Sequence, residues 1–369
     1  RANLTMNNAL KSLLRPHYIE MKGYISAGME VVKTEDKVFL NANENPYELP
    51  GLEGLNRYPQ PQPEALREAY ARSYGVENEW VIMTRGADEA IVALTKLFCE
   101  PNKDSVLTCP PTFGMYGVDA RAMPAGVVEV PLIKEDGTFK LNHEKIVEKA
   151  KDKTENIKIV YICSPNNPTG TSFSHDLISE LCEALEGHAV VVLDETYAEF
   201  SKQGSMCADL ASTPNLIILR TLSKSYALAG MRMGCFICAD TDFTALVRAK
   251  GLDAYPLPIL SIEAAFHALS PEIREMALNN IQTLNKERDR LIPLYKKSKL
   301  VRHIFESDAN FLLIEMDKAE EFHKFAEENN VILRNFANKP LTENCLRISI
   351  GLQEQNDLVL LLLEKFENL

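Results

Sequence analysis

Between residues 80 and 240 the chain alternates short apolar runs with stretches whose apolar residues recur every three or four positions. The runs are Val81–Thr84, Val106–Cys109, Val127–Leu132, Ile159–Cys163, Val190–Leu193, Ile217–Leu219 and Cys235–Ala239. Each is short and nearly free of polar positions, which marks a strand covered on both faces. The stretches between them predict helices over Glu144–Lys151 and His175–Glu186, with another at Phe243–Lys250 after the last strand. A further helix follows Gly86, carries Ile91, Leu94, Leu97 and Phe98 on one face, and stops at Pro101. Seven such strands with intervening helices predict an α/β fold built on a mostly parallel seven-stranded sheet.

The texture differs at both ends. Pro63 opens a predicted helix over Glu64–Tyr74, which Gly75 closes. Ahead of it, Val38-Phe-Leu40 reads as a short strand running into the turn-rich Asn41–Pro46. Residues 1–36 form an arm with one helical piece near Met6–Leu14, expected to join the small domain. Beyond residue 270 come a long charged helix (Pro271–Lys297), a strand (Phe311–Glu315), a helix (Glu320–Asn329), a strand (Leu346–Ile350) and a closing helix (Asp357–Phe366). The reading is a large domain over 37–265 and a smaller α+β domain over 266–369.

Composition narrows the function classes. A formal charge of −12 disfavours a nucleic-acid or anionic-membrane surface. An anionic substrate must therefore meet a local cluster of arginines and tyrosines. The one CxxC spacing, Cys235–Cys238, lies in a strand whose alternation sends the two thiols to opposite faces, and the eight cysteines mostly sit in apolar runs, as buried thiols do in a reducing cytosol. The histidines show no metal-ligand spacing. No apolar run approaches 18 residues and no signal-peptide pattern is seen, so a cytoplasmic, non-exported protein is expected. The first residue is Arg1, so a few residues are expected to precede it.

The chemistry gathers at strand ends, where ligands of such sheets bind. After Ile217–Leu219 comes Thr221-Leu-Ser-Lys224, with Arg232 eight residues past the lysine. A lysine among hydroxyls and near a second cation suits an amine nucleophile beside an anion site, though a solvated turn has the same spacing. After Val190–Leu193 comes Asp194-Glu-Thr-Tyr197. A buried acid there needs a cationic partner such as a pyridinium nitrogen, or else it caps a following helix. Arg85-Gly-Ala-Asp-Glu89 places a glycine at a strand–helix junction, where first-turn amides can face a phosphate.

Taken together, Ser164-Pro-Asn-Asn-Pro-Thr-Gly170, Asp194-Glu-Thr-Tyr197 and Thr221-Leu-Ser-Lys224 followed by Gly230-Met-Arg-Met-Gly234 resemble the motifs of fold-type I, pyridoxal-phosphate-dependent aminotransferases. Asn41–Pro46, Asn56–Pro59, Pro110–Tyr116, Ala254–Leu257 and Cys345–Ile348 extend the resemblance to the histidinol-phosphate aminotransferase family. It spans roughly residues 20–365. The resemblance implies pyridoxal 5'-phosphate as cofactor, with Lys224 as the Schiff-base lysine and proton carrier and Asp194 on the pyridinium nitrogen. It places Tyr197 and Asn167 on the ring hydroxyl and Phe113 on the ring face. The phosphate falls to Ala87, Asp88, Thr221, Ser223 and Arg232, with Tyr58 reaching in from the other subunit of a homodimer. Phe113 stands where the family often has tyrosine.

The same resemblance assigns Tyr24, Asn43, Arg334 and Arg347 to the substrate, and two arginines suit a dianion. On the residues alone, Arg334 also reads as a surface ion pair and Arg347 as a cap at a sheet edge. Ala254 and the arm Gly23–Met29 depart from the family near the substrate. The implied reaction exchanges histidinol phosphate and 2-oxoglutarate for imidazole-acetol phosphate and glutamate. The alternatives are an aromatic amino-acid aminotransferase, a phosphothreonine-type decarboxylase and a pyridoxal-phosphate-binding regulatory module. A nicotinamide dehydrogenase is disfavoured because no G-x-G-x-x-G follows the first strand.

Overall fold

The computed structural model of the protein describes residues 6–25 and 37–369. The strands of the large sheet are β1 (Val81–Thr84), β2 (Ser105–Thr108) and β3 (Gly126–Glu129). A small hairpin, β4 (Ile133–Glu135) and β5 (Thr138–Lys140), separates these from β6 (Ile157–Cys163), β7 (Val190–Asp194), β8 (Leu216–Thr221) and β9 (Gly234–Ile237). The spatial order is β1-β9-β8-β7-β6-β2-β3. All neighbours run parallel except β9, which is antiparallel to both β1 and β8.

Alternation along each strand divides the core. Met83, Val160, Ile162, Val191, Leu193 and Ile218 enter one cluster, with the inward faces of helices Glu64–Tyr74 and His175–Leu185. Ile82, Ile159, Val190, Val192, Ile217 and Leu219 enter the other, against helices Gly86–Phe98 and Thr241–Lys250. Cys235 and Cys238 fall on opposite sides of the sheet. Burial on both faces is what made the strands near-continuously apolar.

The second sheet has the order β10-β11-β13-β12, from β10 (Val301–Ile304), β11 (Phe311–Met316), β12 (Arg334–Asn335) and β13 (Cys345–Ser349). Helices Pro271–Tyr295, Ala319–Glu328 and Gln353–Glu367 cover it around a third cluster containing Leu291, Phe322 and Leu363. Tyr197 and Phe200, which follow β7, pack with Ile281 and Phe311, so apolar contact joins the two sheets directly beside the strand ends.

Three expectations change. Residues 38–40 form no strand, and Val38 and Leu40 are exposed. The helical piece expected near Met6–Leu14 is the single turn Asn8–Lys11, capped by the Asn7 side chain, and a second turn follows at His17–Glu20. That part of the arm does not sit with the small sheet: Leu10, Leu13, Leu14 and Tyr18 enter the large-sheet cluster beside Leu94 and Leu97, and the Asn7 amide donates to Asp240. Residues 1–5 and 26–36 of the arm lie outside the described residues. Among the described residues, no helix is long and apolar enough to cross a membrane.

Candidate active site

The direction of β9 assembles one half of the site. In register, Gly234 at its start pairs with Thr84 at the end of β1 and with Thr221 at the end of β8. Arg232, two residues earlier in a left-handed turn (φ 55°), thus arrives beside the β1–helix junction. A side chain at Gly234 would meet the backbone of Gly86 and Ala87 at 2.8 and 3.1 Å, so only glycine allows this approach. Gly86 itself has φ +70°, and a Cβ there would lie 2.9 Å from an Arg232 nitrogen.

Around this junction the polar groups touch one another. Arg232 donates to Asp88 Oδ2 at 2.9 Å and to the Ser223 hydroxyl at 3.5 Å. Thr221 Oγ1 donates to Ser223 Oγ at 3.0 Å and accepts from the Ser223 amide at 3.1 Å. Helix Gly86–Phe98 has no side-chain cap. Its first amides, two hydroxyls and a guanidinium make a cradle that fits a phosphate. Ala87, Asp88, Thr221, Ser223 and Arg232 are therefore brought together.

Lys224 follows on. Its pKa is pressed below the ordinary lysine range, first by desolvation and then by the Arg347 and Arg232 charges, with Asp88 opposing. An amine poised in this way is neutral more often at a given pH, as a nucleophile requires.

Asp194 closes β7, opposite Cys163 of β6 in register, and is 3% exposed. Its Oδ1 accepts from the Thr196 amide at 3.0 Å and the Thr196 hydroxyl at 2.6 Å. Its Oδ2 accepts from the Tyr116 hydroxyl at 2.6 Å. Burial raises its pKa, and these donors oppose the rise. The bonds to Thr196 make a local turn, and the short helix that follows, Ala198–Phe200, starts at Tyr197 without a side-chain cap, so Asp194 is no helix cap. A carboxylate this deeply buried still calls for a cation at its open side, and a protonated pyridine nitrogen fits that demand.

Tyr197 is buried and meets Phe311 edge-on at 5.3 Å. Burial raises its phenol pKa. Asn167 accepts a hydrogen bond from Arg347, whose guanidinium lies 5.3 and 5.6 Å from the Phe311 and Phe336 rings. Arg347 belongs to β13, an inner strand, so it is no sheet-edge cap. Its register partner across β12–β13 is Arg334. Arg334 is exposed and forms no ion pair among the described residues. Phe113 sits edge-on to Tyr116 at 5.6 Å.

Three expected residues stand apart from this cluster within the chain. Tyr24 is 72% exposed, Asn43 is an exposed left-handed residue, and Tyr58 is stacked on Tyr255 at 4.3 Å. Other participants were not foreseen. Tyr116 is one. Another is a buried group behind the lysine turn, where Arg220 is bonded to Glu195 at 2.9 Å and Glu199 at 2.5 Å and lies over the Tyr74 ring at 4.4 Å. An arginine inside an apolar strand, with two acids four residues apart just past the preceding strand (Glu195 and Glu199), was the available signal.

A family model described as aminotransferase class I and II matches residues 35–361. The chain belongs to this family. Among its relatives, "Histidinol-phosphate aminotransferase 2" of Idiomarina loihiensis is 38% identical over 353 residues, covering 94% of this chain and 96% of that one. "Histidinol-phosphate aminotransferase" of Flavobacterium psychrophilum is 36% identical over 362 residues, covering 97% and 99%. In fold, this aminotransferase matches the crystal structure of the histidinol-phosphate aminotransferase from Sinorhizobium meliloti in complex with pyridoxal-5'-phosphate. The TM-score is 0.75 at 21% identity, over 85% of this chain and 83% of that one.

Proposed function

We propose that this aminotransferase uses pyridoxal 5'-phosphate to exchange histidinol phosphate and 2-oxoglutarate with imidazole-acetol phosphate and glutamate. The observation that carries the reading is the convergence of four strand ends on one lysine, one buried acid and one anion cradle, with two paired arginines at the rim. The curated relatives of nearly full length, at 36–38% identity, support the same substrate.

When bound, pyridoxal phosphate supplies an electron-accepting ring. The chain's residues do the rest. The amides of Ala87 and Asp88, the hydroxyls of Thr221 and Ser223, and Arg232 hold the phosphate. Asp194 keeps the ring nitrogen protonated, Tyr197 and Asn167 bind the ring hydroxyl, and Phe113 covers the ring face. Lys224 attaches the cofactor and carries the substrate proton between carbons. Arg334 and Arg347 take the substrate phosphate and, in the other half-reaction, the carboxylate of glutamate, with Tyr24 and Asn43 completing the pocket.

The active form is a homodimer in which Tyr58 enters the partner's site. Val38, Leu40, Tyr47 and Leu49 are 66–87% exposed in the single chain, an apolar surface that a second copy would cover. The large domain spans 37–265 and the small one 266–369, each around its own sheet. Eight buried free thiols favour a cytosolic setting.

The deciding experiment is a single-turnover titration of the cofactor-loaded protein with histidinol phosphate, histidine and phenylalanine, following the absorbance of the lysine-bound cofactor. Fast loss with histidinol phosphate alone supports the reading. A faster response to phenylalanine moves the enzyme to the aromatic aminotransferases, and carbon dioxide release without amino transfer makes it a decarboxylase.

A further inference from the structure

Tyr116 lies outside every role given above, yet its hydroxyl contacts the buried acid as closely as Thr196 does. It is fully buried, on helix Met115–Ala122, and its hydroxyl is 2.6 Å from Asp194 Oδ2, 78 residues away. That length falls in the range of a hydroxyl donating to an ionised carboxylate. The ring has no freedom to leave. It stacks on Tyr161 at 4.6 Å with planes 2° apart, and Phe113 meets it edge-on. Tyr161 is anchored in turn by its hydroxyl, 3.2 Å from Thr95 Oγ1 and 3.4 Å from the Ile91 carbonyl. A column therefore runs from the helix core, through two stacked phenols, to one oxygen of Asp194.

We propose that Tyr116 is the positioning residue of Asp194, holding its carboxylate ionised and aimed, and so setting the affinity of the site for a protonated pyridine nitrogen. The proposal rests on the pyridoxal-phosphate reading above. The division of labour is geometric. Thr196 takes Oδ1 through a local turn that any Asp at this strand end would make, whereas the Tyr116 bond to Oδ2 depends on a distant helix. Deleting the hydroxyl leaves Oδ2 buried without its donor, which favours the protonated acid. The other titratable groups facing Asp194 are Asp88 from the start of helix Gly86–Phe98, Cys163 and Tyr161 from β6, and Tyr197. None of these donates to the carboxylate, whereas Tyr116 does.

The test compares two cofactors on Tyr116→Phe: pyridoxal phosphate and its analogue with CH in place of the ring nitrogen. The variant should lose about 10- to 100-fold in affinity for pyridoxal phosphate and almost nothing for the analogue, as expected for one hydrogen bond to a charged group. Equal losses on both would make Tyr116 a packing residue and overturn the proposal. A second readout needs no cofactor. In protein carrying carbon-13 aspartate carboxyls, the signal absent from Asp194→Asn should titrate at higher pH in Tyr116→Phe than in the parent. An unmoved titration overturns the proposal. Should the phenylalanine variant fail to fold, 3-fluorotyrosine at 116 keeps the shape with a more acidic phenol, and it must move the Asp194 titration downward. Failure of the parent protein to bind pyridoxal phosphate at all would refute the cofactor reading instead, leaving the Asp194 titration to decide Tyr116.

Discussion

Arg334 and Arg347 are register partners on adjacent antiparallel strands, close enough that the Arg334 charge acts on Arg347, and among the described residues no carboxylate is bonded to either. Like charges so placed repel, costing the free protein about 0.2–1 kcal/mol. The burden suits a site kept for an anion. Arg334→Gln is expected to leave the ligand-free melting temperature unchanged or slightly raised, while KM for histidinol phosphate rises about 10-fold or more. A marked loss of stability with KM unaltered would make the pair structural.

Lys224→Ala is expected to abolish the absorbance of the lysine-bound cofactor and to lower turnover by at least about 10²–10⁴-fold, the contribution of a positioned proton carrier. Steady-state kinetics beside a spectrum of the purified variant decide it. Retained turnover would remove Lys224 from the chemistry.

The charges around Lys224 give a pH dependence of known sign. Arg347 holds the lysine pKa down, so Arg347→Gln should raise it. Lys224 becomes neutral only as pH rises through its pKa, so attachment of pyridoxal phosphate to the cofactor-free variant should reach its midpoint at higher pH than in the parent. A midpoint unmoved, or moved downward, contradicts the electrostatic account.

Gly86→Ala forces a Cβ into a left-handed residue and toward Arg232. The backbone alone costs about 1–2 kcal/mol, seen as a lower melting temperature. The displaced guanidinium should weaken pyridoxal phosphate more than pyridoxal, measured by titrating both into cofactor-free protein. Equal weakening would place the phosphate elsewhere.

Arg220→Met strips Glu195 and Glu199 of their buried cation. Breaking such a group by removing one partner costs about 3–5 kcal/mol, which urea unfolding of the cofactor-free protein would register. A change below about 1 kcal/mol would mean that water already serves both acids.

How much of this was legible follows from what each feature depends on. Ile157–Cys163 and Leu216–Thr221 declare themselves because both faces of each strand are covered. The same property hides direction, so nothing in Gly234–Ile237 announces that β9 runs against its neighbours. The hairpin β4–β5 was missed although Asp136 and Gly137, both at positive φ, spell its turn. Its strands are three residues each, too short for periodicity. Edge strand β10 carries Arg302 and His303 and so lacks an apolar run. Val38–Leu40 reads as a strand by composition, yet no described strand pairs with it. In the site, Lys224, Asp194 and the glycine turn are local to strand ends and could be read in order. The Tyr116–Asp194 bond joins segments 78 residues apart, and the Arg334–Arg347 register depends on how two strands pair across an irregular loop, so neither could.

The bond from Arg347 to Asn167 sets the grip that the rim can offer. A guanidinium presents five donors along a planar fork, and Asn167 already occupies one end of it. The edge that remains matches the two oxygens of a carboxylate, while a phosphate, with three, needs Arg334 as well. On the function proposed above, one arginine with a committed end and one without would form a two-size socket. A single rim would then serve two anions of different shape in alternate halves of one cycle.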